Sequence, residues 1–240
     1  HIKGQLAIAH NGNLTNAAEL REELEQKGAI FHTTNDSEII CYIIIQERLK
    51  TSSIEKAIEN TMNRIEGAYS LVVMSPEKLI AVRDKKGFRP LVMGKEKDGR
   101  IVFASETCAF AAVGVDYVRD IDAGEIVVID HDGVEHSIRT HCKEKPHMCV
   151  FEYVYFARSD SILQHQPVHE ARRNAGRILA KEHPVEADVV IGVPDSGLDA
   201  AQGYAEESGI PYGMGFIKNR YIARTFIQPT QGQRENAVNM

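Results

Sequence analysis

Several short stretches of this chain hold residue types that could do chemistry. Asn11-Gly12-Asn13 closes a run of alternating apolar and small residues. A side-chain amide beside a glycine N–H can aim two donors at one developing negative charge, so an oxyanion hole is the functional reading. A plain turn is the commoner use of such a tripeptide. Asp36 stands at a helix start, where it reads first as an N-cap and second as a carboxylate for the amino group of an amino-acid substrate. Residues Val189 to Gly197 carry a buried strand into a turn of small residues and then a helix. The carboxyl end of a parallel strand, beside a helix N-terminus, favours anions. Lys218-Asn219-Arg220-Tyr221, with Arg224 and Arg234, lies between Glu207 and Glu235, a span with no other acidic residue. Basic side chains gathered there suit a phosphorylated small molecule, or simply a solvated loop. His141-Cys142 followed by His147 and Cys149 invites a zinc reading, but the spacing matches no standard zinc finger.

The elements that must position these residues follow from periodicity. A strand is expected over 5–10, then a turn, then a helix capped by Thr15 or Asn16 with Leu20 and Leu24 on one face and Gly28 at its end. A short strand is expected at 30–32, a helix at 37–49 and a third, capped by Ser53, to Arg64. The period then changes to two, predicting strands at 69–74, 78–83, 91–93, 101–104, 117–119, 125–129 and 134–139. Cys41 and Cys108 sit in apolar helical contexts as packing residues. A polar linker is expected over 140–147. Beyond it come strand 150–156, helix 168–182, strand 188–193, helix 198–207 and strand 212–216, the grammar of parallel pairing through crossovers. Runs of helices and then strands indicate an α+β first domain, and the alternation after residue 145 an α/β second one.

With 240 residues, 43% of them hydrophobic and 26% charged, the chain can bury a sizeable core or two modest ones. Twenty-eight basic residues against 34 acidic give a net charge of −6, which argues against a general nucleic-acid-binding surface. Apolar runs such as 39–45 are too short to span a bilayer. Four cysteines in a chain this long do not suggest a secreted disulfide scaffold, so a cytoplasmic location is expected. The chain opens on His1-Ile2-Lys3 without Met, and an interior piece of a longer protein is expected.

Taken together, the segments resemble the amidophosphoribosyltransferase family. The match is carried by His10-Asn11-Gly12-Asn13-Leu14-Thr15-Asn16, Asn35-Asp36-Ser37-Glu38, Arg83-Asp84 with Gly87-Phe88-Arg89-Pro90-Leu91, and Ala104-Ser105-Glu106. Phe151 to Arg158 and Lys218-Asn219-Arg220-Tyr221 with Arg224-Thr225-Phe226-Ile227 are the more specific part. The resemblance implies an α+β N-terminal-nucleophile hydrolase glutaminase domain with αββα layers over residues 1–145, lacking its start. The first part of an α/β type I phosphoribosyltransferase domain would follow over 146–240. In that family an N-terminal Cys attacks the glutamine carboxamide, and ammonia then displaces pyrophosphate from phosphoribosyl pyrophosphate, the opening step of purine synthesis.

By resemblance, Asn11 and Gly12 form the oxyanion hole and Asp36 grips the glutamine α-amino group. Lys218 and Arg220 face phosphates of substrate or of inhibitory purine nucleotides. Ser196 helps hold Mg²⁺, and Cys149 is the first ligand of a [4Fe–4S] cluster that many members carry. A homo-oligomer is expected. Ser159 and Lys85-Lys86 depart from the family pattern benignly. The absent nucleophile predicts no glutaminase activity from this piece alone. Two other readings stand beside it. Another glutamine amidotransferase is disfavoured by the strand–helix half after residue 150. A non-catalytic nucleotide-binding module would use the basic stretch without turnover.

Overall fold

The structure, a computed structural model, describes residues 4–219 and 230–239. The chain forms two compact units that divide between Val168 and His169. The first begins with strand β1 (Ala7–Leu14) and three helices, α1 (Ala17–Gln26), α2 (Asp36–Lys50) and α3 (Ile54–Thr61). Asn35 caps α2, its side chain accepting from the Ser37 N–H at 2.9 Å, and Ser53 caps α3 by accepting from the Lys56 N–H. Strands β2 (Gly67–Met74), β3 (Leu79–Arg83), β4 (Val92–Lys95) and β5 (Ile101–Ala104) follow. Helix α4 (Thr107–Val113) then precedes β6 (Asp116–Asp120), β7 (Ile126–Ile129) and β8 (Glu135–Ile138). One antiparallel sheet has the order β1-β2-β3-β7-β8 and a second the order β5-β4-β6.

Alternation along the strands sorts side chains into three cores, and the cores define the layers. Leu71, Val73, Ile80, Val82, Ile126 and Val128 pack under the helices against Leu20, Leu24, Ile39, Ile43, Ile44 and Ile58. Their neighbours Ala81, Val127 and Ile129 face the other way, onto Leu91, Met93 and Ile121. Val92, between Leu91 and Met93, turns to a third cluster with Phe110 of α4 and Val115. The result is helix, sheet, sheet, helix: the αββα arrangement expected from the resemblance. Burying each Ile or Leu side chain contributes roughly 1.5–3 kcal/mol, which makes the first cluster the main stabilising core.

Four local expectations are corrected. Asn11-Gly12-Asn13 is not a turn; β1 runs on through it to Leu14, paired Asn11↔Ser70, Gly12↔Tyr69, Asn13↔Ala68 and Leu14↔Gly67. Ser70, Ala68 and Gly67 on β2 are small, and Gly12 leaves room opposite Tyr69, so the ladder continues where composition suggested a break. Residues 30–32 form no strand, and Ile30 is exposed. Helix α4 interrupts the expected strand series, closing at Gly114 in the left-handed conformation. The expected strand 150–156 is a wide helical turn over Glu152–Phe156, closed by the Ala157 N–H donating to the Glu152 carbonyl at 3.0 Å.

The compact units also do not divide at residue 145. The His147 N–H donates to the Lys86 carbonyl at 2.7 Å, the Cys149 N–H donates to that of Phe88, and Arg89 pairs with buried Glu152 at 2.6 Å. These bonds tie the stretch after 145 into the first unit. So does the hairpin of β9 (Ile162–Leu163) and β10 (Gln166–Pro167), where Leu163 packs with Ala157 and Val168.

In the second unit, α5 (Val168–Glu182), β11 (Val190–Ile191), α6 (Gly197–Ser208) and β12 (Tyr212–Gly213) follow in order, and β11 pairs parallel with β12. This is the strand–helix–strand grammar expected there, with much shorter strands. Helices α5 and α6 cross glycine to backbone. A Cβ at Gly176 would fall 1.9 Å from the Ala200 carbonyl oxygen, and one at Gly203 would fall 1.9 Å from that of Arg173. Helix α7 (Gln231–Asn239) is the last element.

Candidate functional site

Because successive side chains of a strand point to opposite faces, His10 and Asn11 serve different neighbours. His10 turns toward α2, where its Nδ1 lies 3.0 Å from Ser37 Oγ and 3.4 Å from Asp36 Oδ1. Asn11 turns the other way, its Nδ2 donating to Ser105 Oγ at 3.3 Å. A carboxamide carries two N–H donors, so one remains for a ligand. Gly12 follows at φ +153°, and a Cβ there would lie 2.0 Å from the Ala68 carbonyl oxygen. Close packing of β1 on β2 therefore requires glycine at this position.

Asp36 is the first helical residue of α2, not its cap. Its Oδ2 accepts from the Leu14 N–H at 2.9 Å, fastening the carboxylate to the end of β1. Asn11 and Gly12 thus follow one another on β1, while Asp36, on α2, is held at the end of that strand through Leu14. His10, Ser37 and Ser105 join them. Each belonged to a quoted motif, but only the fold shows that His10 meets Asp36 and Ser37, and that Ser105 meets Asn11.

The His10 side chain is 2% exposed, and its Nε2 is buried without a hydrogen-bond partner among the described residues. Burial lowers its pKa, opposed by the nearby Asp36 carboxylate and the Ala68 backbone. The folded state therefore binds protons less readily than the unfolded state, and stability falls as pH drops below the ordinary histidine value of about 6.5. Urea midpoints at pH 7.5 and 5.5 should show the loss in the native chain, and His10→Gln should shrink that difference.

Other motif residues build structure. Asp84 Oδ1 and Oδ2 accept from the Lys86 and Phe88 N–H groups at 2.9 and 3.0 Å, closing the loop between β3 and β4. Burial raises its pKa despite those bonds. Arg89 holds Glu152 and lies over the Phe156 ring at 4.5 Å, so this loop and the 151–158 motif interlock.

In the second unit, Ser196 immediately precedes α6 and makes no side-chain capping bond. Lys218 is ion-paired with Asp195, so two of the candidate anion-binding segments meet. Arg220, Tyr221 and Arg224 lie outside the described residues. Among the described residues no three His, Cys, Asp or Glu side chains come close enough to hold a metal ion. None of the four cysteines, Cys149 among them, is in a disulfide. His141 is taken up by the Glu59 carbonyl at 3.2 Å. No helix among the described residues is long and apolar enough to cross a membrane.

A profile described as a glutamine amidotransferase domain matches residues 1–112. The four-layer fold of the first unit is thus that of a glutamine amidotransferase domain of the N-terminal-nucleophile type. By sequence and by fold, the chain as a whole is a homologue of the amidophosphoribosyltransferases. It is 47% identical to the amidophosphoribosyltransferase of Methanocaldococcus jannaschii, over 99% of this chain and 53% of that protein. It is also 47% identical to that of Staphylococcus aureus, over 98% of this chain and 47% of that protein.

A structure of glutamine phosphoribosylpyrophosphate amidotransferase from B. subtilis, complexed with ADP and GMP, superposes with a TM-score of 0.85 at 45% identity. It covers 98% of this chain and 51% of that one. A second, described as the allosteric regulatory enzyme of purine biosynthesis, gives 0.84 at 46%, covering 97% and 49%. The chain therefore spans about half the length of these relatives.

Proposed function

We propose that this chain is the glutaminase part and the opening of the phosphoribosyl-transfer part of a cytoplasmic amidophosphoribosyltransferase. The intact enzyme would convert phosphoribosyl pyrophosphate, glutamine and water to 5-phosphoribosylamine, glutamate and pyrophosphate, the first step of purine biosynthesis. The observation that carries this reading is the strand that bears Asn11 and Gly12 in succession and holds the Asp36 carboxylate at its end. The carboxamide and the glycine N–H would receive the oxyanion formed when a thiolate attacks the glutamine amide. Asp36 would hold the α-ammonium group, an interaction present before and during the reaction and therefore expressed in KM. Lys218 and Arg220 would face phosphate groups of the second substrate or of a nucleotide.

Glutamine hydrolysis by the full-length protein tests this. Asn11→Ala should lower kcat by roughly 10²–10³ with little change in KM. Asp36→Asn should chiefly raise KM. Isothermal titration with glutamine, phosphoribosyl pyrophosphate and AMP adds a second arm: heat from nucleotide with none from glutamine would favour a regulatory module and overturn the amidotransferase reading.

A further inference from the structure

Ser105, Glu106 and Thr107 join β5 to α4, and the three residues face two ways. Ser105 Oγ accepts from the Asn11 carboxamide at 3.3 Å. On the other side, Glu106 Oε2 accepts from Ser161 Oγ at 2.6 Å and from the Arg158 N–H at 2.9 Å. Thr107 Oγ1 accepts from the Ile162 N–H at 2.8 Å. Ser161 is 1% exposed, so its bond to a carboxylate is shielded from water and hard to replace. Residues 158–162 lead through the β9–β10 hairpin directly into α5, and the Val168 N–H donates back to the Ser161 carbonyl.

We propose that Ser105-Glu106-Thr107 is a positioning relay that sets the orientation of the Asn11 carboxamide according to where the 158–162 segment is held. Glu106 touches neither Asn11 nor any candidate substrate position. It acts through Ser105, whose hydroxyl it places by fixing the backbone of the turn. A displacement of the chain entering α5 would draw on the Glu106 carboxylate and turn the Asn11 donor away. The value of this relay to catalysis rests on the reading of Asn11 as an oxyanion donor, whereas the relay itself can be measured without any reaction.

The test is the side-chain amide resonance of Asn11 in the ¹⁵N-labelled chain, with the Asn63 side chain as a distant control. Ser105→Ala should shift the resonance and speed exchange of its protons about fivefold, the effect of losing one hydrogen bond. Glu106→Ala should reproduce that change, and adding it to Ser105→Ala should bring nothing further. Glu106→Gln, which keeps an acceptor in place, should restore the native resonance, and Ser161→Ala should give a smaller shift in the same direction. Should Glu106→Ala fail to fold, Ser161→Ala decides. An Asn11 resonance that moves in Ser105→Ala and stays native in Glu106→Ala and Ser161→Ala overturns the relay. Failure of glutamine hydrolysis in the full-length protein would leave these spectra unchanged, so the two readings fail separately.

Discussion

Gly12→Ala is expected to destabilise the first unit by about 3–4 kcal/mol, the sum of a strained positive φ and a close steric approach. The added Cβ would lie 2.0 Å from the Ala68 carbonyl oxygen, 2.8 Å from its carbon and 2.9 Å from the Tyr69 Cα. All three are backbone atoms of β2, so no rotamer change can clear the contact. Relief requires β1 to move off β2. Because β1 is an edge strand with no second neighbour among the described residues, the pairs from Asn11 to Leu14 should part first. Urea unfolding followed by circular dichroism measures the loss. Gly28→Ala is the matched control, since Gly28 has φ +88° but nothing within 4 Å of an added Cβ. It should cost only about 1–2 kcal/mol. Equal losses in the two variants would mean that β1 and β2 do not approach as closely as described.

Arg83→Met should cost about 4 kcal/mol, although Met fills much of the same volume. Arg83 is 4% exposed and spends its guanidinium on backbone carbonyls: Nε donates to Arg89 at 2.8 Å, Nη1 to Ile121 at 2.7 Å and Nη2 to Gly87 at 2.9 Å. Burial lowers its pKa, and the Asp84 carboxylate leads the groups that oppose that shift. Removing the guanidinium leaves three acceptors without donors, each costing roughly 1–3 kcal/mol where water cannot reach. Arg83→Lys keeps the charge but presents a compact ammonium in place of the planar fork, and should recover only part of the loss. The same denaturation experiment ranks the three proteins. A Met variant as stable as the native chain would show that those carbonyls find other donors.

These two residues mark where the sequence could be read and where it could not. Arg83 and Gly12 both belong to motifs that carry the family resemblance, and the motif alone suggested chemistry for one of them. The fold gives Arg83 a purely architectural task, because every bond it makes ends on a loop carbonyl. Gly12 keeps its place in the candidate site, but in a continuous strand. Asn-Gly-Asn composition pointed to a turn because those residues tolerate turn geometry locally. Whether they take it depends on the partner strand, and Gly67 and Ala68 lie 54 and more positions away in sequence. The wide turn at Glu152–Phe156 was missed for a related reason. Its apolar residues alternate well enough for a strand, while the Arg89–Glu152 pair that anchors its first residue is invisible to local periodicity.

The sequence by itself determined most of the helices and strands of the first unit, the two grammars, the family resemblance and the residues Asn11, Gly12 and Asp36 as candidates. The element positions follow from spacing, capping and side-chain type, which act over a few positions, and the family from the resemblance of its motifs. Only the tertiary structure decided that Asp36 is fastened to Leu14, that His10 and Asn11 look to opposite faces, and that Ser105 meets Asn11 across the sheets. It also decided that residues 146–168 stay with the first unit. Each of these depends on strand register and on hydrogen bonds between distant segments. A register is selected by the whole set of buried side chains at once, so no single stretch of sequence contains it.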